Sequence, residues 1–465
     1  MMGRRVLRLA RRVQGLAVVL PLLFSTGCAT ANAAFRAGPA GILAERSIRA
    51  DLVNGRAENA WASMADKKIA PSDALLRHMY RGVISLHSGE FDAGTRSLDR
   101  AWQLAEDRYT KRISTGALSI VTAESALPYD PGVTERMFIP YYGGLNWLAR
   151  NERFEAAVEA RRLAALLASE AGPQPPAAMQ GVLRYVSGVI FEAAGESQDA
   201  LVAYRNAAAL LGTLPGDTTF AADSGDVVVL IEDGFVGRPE PRSFGVFMDG
   251  SELVALTTGN RESRLGVAQI VERRSWDRRN GMQSELNVGW LTYEINWATF
   301  ALPQRNSADV GVRSGESLAP TISADISAAV QADYEREQPA RLTRAIARTA
   351  VRYVAMRAAE QAFEKAKKTR KERKEEGEKG GGWWSILLGI GLAATSITSA
   401  ALDQPDLRAW QVLPDRITVA RLRLPVGEHP VEVMRGDEVV SLGTVTVREG
   451  GVAVMTYRWW PEGQR

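Results

Sequence analysis

One cysteine and three histidines are all that the chain offers for thiolate or soft-metal chemistry: Cys28, His78, His87 and His429. A closed zinc cage needs four converging Cys or His ligands, and none of these residues has a second one at ligand spacing. No P-loop, no glycine-rich fingerprint after a strand and no nucleophile-elbow pattern occurs. The adjacent acids Glu232 and Asp233 end an apolar run, where paired acids usually mark a turn. The expectation is a chain with no catalytic residue, no metal, no cofactor and no enzymatic activity.

The lone cysteine then needs another reason. Arg4, Arg5, Arg8, Arg11 and Arg12 form a basic stretch without any acid, and Val13 to Phe24 is apolar, long enough for a signal segment and too short to span a bilayer. Ser25-Thr26-Gly27-Cys28 follows, similar to the lipobox cut by lipoprotein signal peptidase, with Ser25 where that pattern prefers Leu. Residues 1–27 are therefore expected to be a signal peptide, Cys28 the lipidated first residue, and 28–45 a tether. Ala29 in place of Asp favours sorting to the periplasmic face of the outer membrane over the inner membrane. Arg4-Arg5 also resembles a twin-arginine export signal, without its usual downstream context. Without the five arginines, 52 of the 57 basic residues remain against 54 acidic ones. A mature chain so close to neutrality does not suit a nucleic-acid binder.

What could such an anchored chain present? Residues 46–214 are rich in Ala and Leu and read as helical. Gly82, Gly89, Phe91, Leu98 and Ala101, with Gly94, fall at the spacing of a tetratricopeptide repeat. Gly188, Phe191, Gly195, Ala200, Tyr204 and Ala207 repeat it, and Leu148, Phe154, Ala157 and Ala164 form a looser unit between them. Small residues let paired helices approach, and large ones fill the gap to the next pair. The stretch around Pro128–Pro140 makes the spacing irregular, and the alternative is a plain antiparallel bundle. In a repeat array the first helix of each pair lines the groove, which selects Met79, Val83 and His87 in one unit and Tyr185, Val189 and Glu192 in another.

Thr213 to Gly225 is a boundary. Val227 to Ile231 is a continuous apolar run expected as a buried strand. Gly245 to Gly250 and Leu253 to Leu256 are expected as two strands joined at an Asp-Gly turn. Residues 285–300 alternate around Trp290, Tyr293, Trp297 and Phe300, and Ile417–Leu424, 431–433, 445–447 and Val452–Tyr457 continue in that style. The reading is an α+β chain: a TPR-like helical domain, a β segment over 222–316, a helical insert over 317–404 and a second β segment over 405–465. The two β segments together are expected to make an antiparallel sheet or sandwich.

The insert carries Arg341, Arg344, Arg348 and Arg352 at steps that place them on one helix face. Residues 338–379 hold 13 basic and 6 acidic side chains, and Trp383 to Leu402 holds none of either. This pair of segments reads either as packed soluble helices or as a basic and an apolar helix against anionic lipid.

Several of these stretches resemble a family. Cys28, the helix text Ala156-Ala157-Val158-Glu159-Ala160-Arg161-Arg162, the strand and turn from Val228 to Gly234, Trp297-Ala298-Thr299-Phe300, the arginine-rich helix from Arg341, and Asp406-Leu407-Arg408 followed by Trp410, Leu413 and Pro414 are similar to those of an incompletely characterised group of proteobacterial tetratricopeptide lipoproteins. The resemblance implies a cell-envelope location and no established reaction. Some members are linked with activator lipoproteins of peptidoglycan synthases, which associates the group with envelope assembly. This chain departs from the group in its charged Lys365–Lys379 segment.

The expectation for function is a membrane-anchored scaffold or adaptor. Its partners would be envelope proteins or peptides contacted through Tyr185, Glu192 and His87, and the membrane through the lipid on Cys28, with self-association as a further option. The alternative is an assembly component that engages membrane or acidic partners through the basic helix 341–376, at Arg341, Arg344, Arg348 and Arg352, and the apolar helix 383–402.

Overall fold

A computed structural model of the chain describes residues 39–64, 70–112, 127–169, 173–219, 222–248, 291–305, 309–347 and 405–460, with isolated positions between 252 and 273. The fold is mixed α+β, with helices in the first part and sheets in the second. Helices α1 (Pro39–Val53) and α2 (Ala57–Ser63) lead into three hairpins: α3 (Ala74–Ser88) with α4 (Phe91–Arg112), α5 (Val133–Ala149) with α6 (Arg153–Ala168), and α7 (Ala177–Ala193) with α8 (Ser197–Leu211). Helix α1 thus starts within the stretch read as a tether.

The hairpins share one register. Gly89, Asn151 and Gly195 take φ of 75°, 60° and 81° and turn the chain between the two helices of each pair. A Cβ on Gly82 would sit 2.2 Å from Leu98, and one on Gly188 2.6 Å from the Tyr204 ring. These pairs have the same separation in sequence, and small residues set the close approach in both. Counting from Asn151 puts Gly144 and Ala160 in the corresponding places of the middle hairpin. The expected filler of that unit, Phe154, is instead 71% exposed, whereas Ala156 and Ala160 are fully buried. The expected register is displaced in this unit because Asn151, not a glycine, supplies the left-handed residue. Helix α5 runs through Pro140, so the stretch read as an irregular spacer is partly helix.

The strands are β1 (Ser224–Asp233), β2 (Arg238–Met248), β3 (Leu291–Ala301), β4 (Val310–Ser314), β5 (Ser317–Leu318), β6 (Thr321–Asp325), β7 (Arg416–Pro425), β8 (Gly427–Arg435), β9 (Glu438–Val447) and β10 (Val452–Trp459). Helix α9 spans 326–347. Its start is fixed by Asp325, whose carboxylate accepts the Ala328 N–H at 2.6 Å. Two strands therefore lie in what was read as helical insert. The first sheet has the order β10-β1-β7-β6, the second β5-β4-β8-β9, and β2 pairs with β3 as a ribbon. The partner of β2 is thus β3; the expected strand at Leu253–Leu256 lies outside the described residues. The two β segments interleave, since β1 pairs with β7 and β4 with β8 antiparallel, but β1 pairs with β10 in parallel, so the first sheet is mixed and not the purely antiparallel one expected.

The continuous apolar run of β1 reflects burial on both faces. Val228 and Leu230 join the helical core, while Val227, Val229 and Ile231 join a second core with Val312, Val431 and Val433 of the second sheet. Helices, first sheet and second sheet thus stack as three layers.

Among the described residues no helix is long and apolar enough to cross a membrane. Trp383–Leu402, Cys28, Arg348 and Arg352 lie outside the described residues.

Candidate functional site

The inner side of the helical hairpins is covered by the chain's own β part. Segment 406–413 lies against it, irregular to Trp410 and then turning, with the Leu413 N–H on the Trp410 carbonyl at 3.1 Å. The Tyr80 hydroxyl donates to the Ala409 carbonyl and accepts the Gln411 N–H, both at 3.1 Å. Glu135 accepts the Trp410 N–H at 2.9 Å, and Gln411 donates to Glu45 at 2.6 Å. Trp410 is fully buried. Burial drives both carboxyls, Glu45 and Glu135, above the usual range. Arg408 anchors the segment, its side chain 1% exposed, through Asp73 at 2.7 Å, Asp406 and the Leu127 carbonyl.

Two charged clusters mark the ends of the first sheet's helix-facing surface, because alternate residues of each strand face the same way. At one end Arg421 of β7 is enclosed by Glu192 at 2.8 Å, Asp226 and the Tyr204 hydroxyl at 3.1 Å. At the other end Glu232 of β1 is paired across the ladder with Arg458 of β10. Its Oε1 accepts from the Tyr142 hydroxyl at 2.8 Å and, more weakly, from Tyr141 at 3.4 Å. Arg458 Nη1 stands 3.5 Å from its Oε2. Burial raises the Glu232 carboxyl above its ordinary value, and the Arg458 charge and the two hydroxyls work against that rise.

A cavity of about 250 Å³ opens at this second end, lined by Leu86, His87, Leu145, Glu232, Thr456, Tyr457, Arg458 and Trp460. Helix α3 brings His87 to it, its ring edge-on to Trp460 at 5.0 Å between centroids. Burial, aided by the Arg458 charge, pushes the His87 imidazole down to about 3, so the ring is neutral at ordinary pH and a poor general base. Arg458 lies against Phe235 and Trp460, 5.1 and 4.7 Å from the ring centroids.

These contacts relocate the residues selected from the sequence. Met79, Val83, Tyr185 and Val189 are fully buried core, and the Tyr185 hydroxyl donates to the Pro215 carbonyl at 3.1 Å. Glu192 is held by Arg421. None of them faces an open groove, because the β part occupies the place where a partner was expected. His87 does reach a cavity, at the seam between the layers. Glu232, read as a turn acid, is a buried strand residue, while Asp233 faces Arg435 at 3.3 Å. Arg341 pairs with Glu337 at 2.9 Å and stands over the Tyr334 ring, so its guanidinium is engaged within its own helix. Arg344, also on α9, has interactions of its own. Arg421 and Arg458 escape the sequence reading, and Arg408 enters it only through the resemblance, with no role assigned. The one available signal was a basic residue inside an alternating strand at an inward position, which for Arg421 and Arg458 called for a buried acid.

Among the described residues no cluster of three or more His, Cys, Asp or Glu side chains is arranged to hold a metal ion. Comparisons with protein-family models, with curated proteins and with solved structures return no match.

Proposed function

We propose that the chain is an envelope lipoprotein, tethered through Cys28 to the periplasmic face of the outer membrane, that serves as a protein-binding scaffold in envelope assembly. The observation that carries this reading is the run from the basic stretch through the apolar Val13–Phe24 to Ser25-Thr26-Gly27-Cys28, which ends at the chain's sole cysteine. The common register of the three hairpins supports their TPR-like reading, with Gly82 against Leu98 and Gly188 against Tyr204.

The scaffold is stiff in this reading. Buried arginine–carboxylate contacts fix the β part in the helical concavity, so a partner engages the outer side. Phe154, Val158, Leu201 and Val202 are exposed there on the second helices α6 and α8. The polar groups of the seam also favour a non-catalytic role, since the His87 base is too weak and Glu232 is committed to Arg458 and the tyrosines.

Mass spectrometry of the mature N-terminus tests the tether. A diacylglyceryl thioether on Cys28 is expected, and an intact residue 1–27 segment overturns the proposal. Photo-crosslinking from position 154 in intact cells tests the scaffold. Discrete adducts with an envelope protein are expected, and their absence, with adducts instead from a position on the second sheet, overturns the placement.

A further inference from the structure

We propose that the seam cavity is a binding site for a compact carboxylate, held by Arg458 and His87 and packed against Trp460. The proposal stands apart from the lipid tether and from the scaffold reading.

Arg458 is 5% exposed, yet only one of its three nitrogens is used in a hydrogen bond, Nη2 to the Gly234 carbonyl at 2.8 Å. Its Nε and Nη1 are buried without a hydrogen-bond partner, and so is Nε2 of His87. At 3.5 Å the Nη1–Glu232 contact is an ion pair longer than a hydrogen bond. Buried donors of a charged group are costly to leave unmet. Two of the three atoms belong to one guanidinium, the donor suited to carboxylates. The neutral imidazole, as its Nε2–H tautomer, adds a donor beside it.

The cavity walls restrict the rest of the ligand. Leu86, Leu145 and Trp460 are apolar, and Thr456 is an exposed residue of edge strand β10 through which the cavity meets solvent. A volume of about 250 Å³ falls below the roughly 300–1,000 Å³ of sites for drug-sized ligands. A short acid with an apolar tail therefore fits, and a cation is opposed by Arg458. Glu232 does not spoil the site. Its Oε1 is committed to the tyrosine hydroxyls and its Oε2 stands at 3.5 Å from Nη1, which leaves Nε and Nη1 as donors for the ligand. The carboxylate could come from a free small acid or from the carboxyl end of a peptide, and the shared group is what the cavity recognises.

The test is calorimetric titration of the full chain in detergent with sodium hexanoate, with hexanamide as the uncharged match. A hexapeptide with a free carboxyl end and its amidated form distinguish the two sources. Saturable binding of hexanoate but not hexanamide is expected, weakened about tenfold or more in Arg458→Met. Thr456→Phe, which narrows the entrance without touching the arginine, is expected to weaken it too. Binding of the free-acid peptide alone would assign the ligand to a chain end, and of hexanoate alone to a small acid. Equal affinity for acid and amide, or unchanged binding in folded Thr456→Phe, overturns the proposal, as does no saturable binding of either acid.

Discussion

Glu232 and Arg458 stand opposite each other on neighbouring parallel strands, 3.5 Å apart and 8% and 2% exposed at the side chain. Removing one partner of such a pair leaves the other charge out of water. Glu232→Ala is expected to lose about 3–5 kcal/mol of stability and Glu232→Gln less, because the amide oxygen still accepts from Tyr142. Chemical denaturation of the two variants checks the order.

The Gly82–Leu98 contact predicts a compensating pair. Gly82→Ala introduces a Cβ 2.2 Å from Leu98, and overpacking of this kind costs about 1–3 kcal/mol. Leu98→Ala also destabilises alone, by opening a cavity. The double variant is expected to be more stable than the sum of the two losses predicts, as a thermal-unfolding cycle will report.

Tyr80→Phe tests how segment 406–413 is held. The variant keeps the ring and removes both hydrogen bonds of the hydroxyl, leaving the Gln411 N–H and the Ala409 carbonyl bonded only to each other at 3.0 Å. Each lost hydrogen bond costs about 0.5–1.5 kcal/mol. Loss of stability should be accompanied by faster hydrogen exchange at Gln411, with the amides of β9 unaffected.

Glu159 makes the helical layer sensitive to pH. It lies buried between hairpins beside Arg162, and burial pushes it from 4.5 up to about 7. Between those values the folded chain holds a proton that the unfolded chain has released. The stabilisation is therefore complete below pH 4.5 and is lost as pH rises through about 7, an interval corresponding to about 3 kcal/mol. Relative to the native chain, Glu159→Gln should gain about that amount between pH 4.5 and pH 8, measured by urea unfolding. For His87 the sign is reversed. Its imidazole is held near 3, so stability present above pH 6.5 is lost as pH falls toward 3, and His87→Asn should flatten that decline.

How much of this could be read from the residues alone? The run Val227–Ile231 announced β1, since a strand covered on both faces has no polar side to show. The glycines of the first and third hairpins announced their turns, whereas the middle one hid behind Asn151. Pairing was not legible. Nothing in the local pattern of Val452–Tyr457 tells it to lie parallel to β1, because that choice is made by side chains far apart in the chain, such as Glu232 and Arg458. The occupant of the helical concavity was hidden for the same reason. Asp406 to Leu413 has no periodicity, and its hold on Tyr80 and Glu135 runs largely through backbone atoms that any sequence possesses.

Strand β10 closes the first sheet beside β1 and carries Arg458 and Trp459 into the interior. It is the last of the described strands along the chain, so β1 lacks its parallel neighbour until residues 452–459 are in place. Long-range closure of this kind slows folding and leaves apolar surface uncovered in the meantime. A nonsense mutation ahead of residue 452 would leave β1 without its parallel neighbour and that surface open.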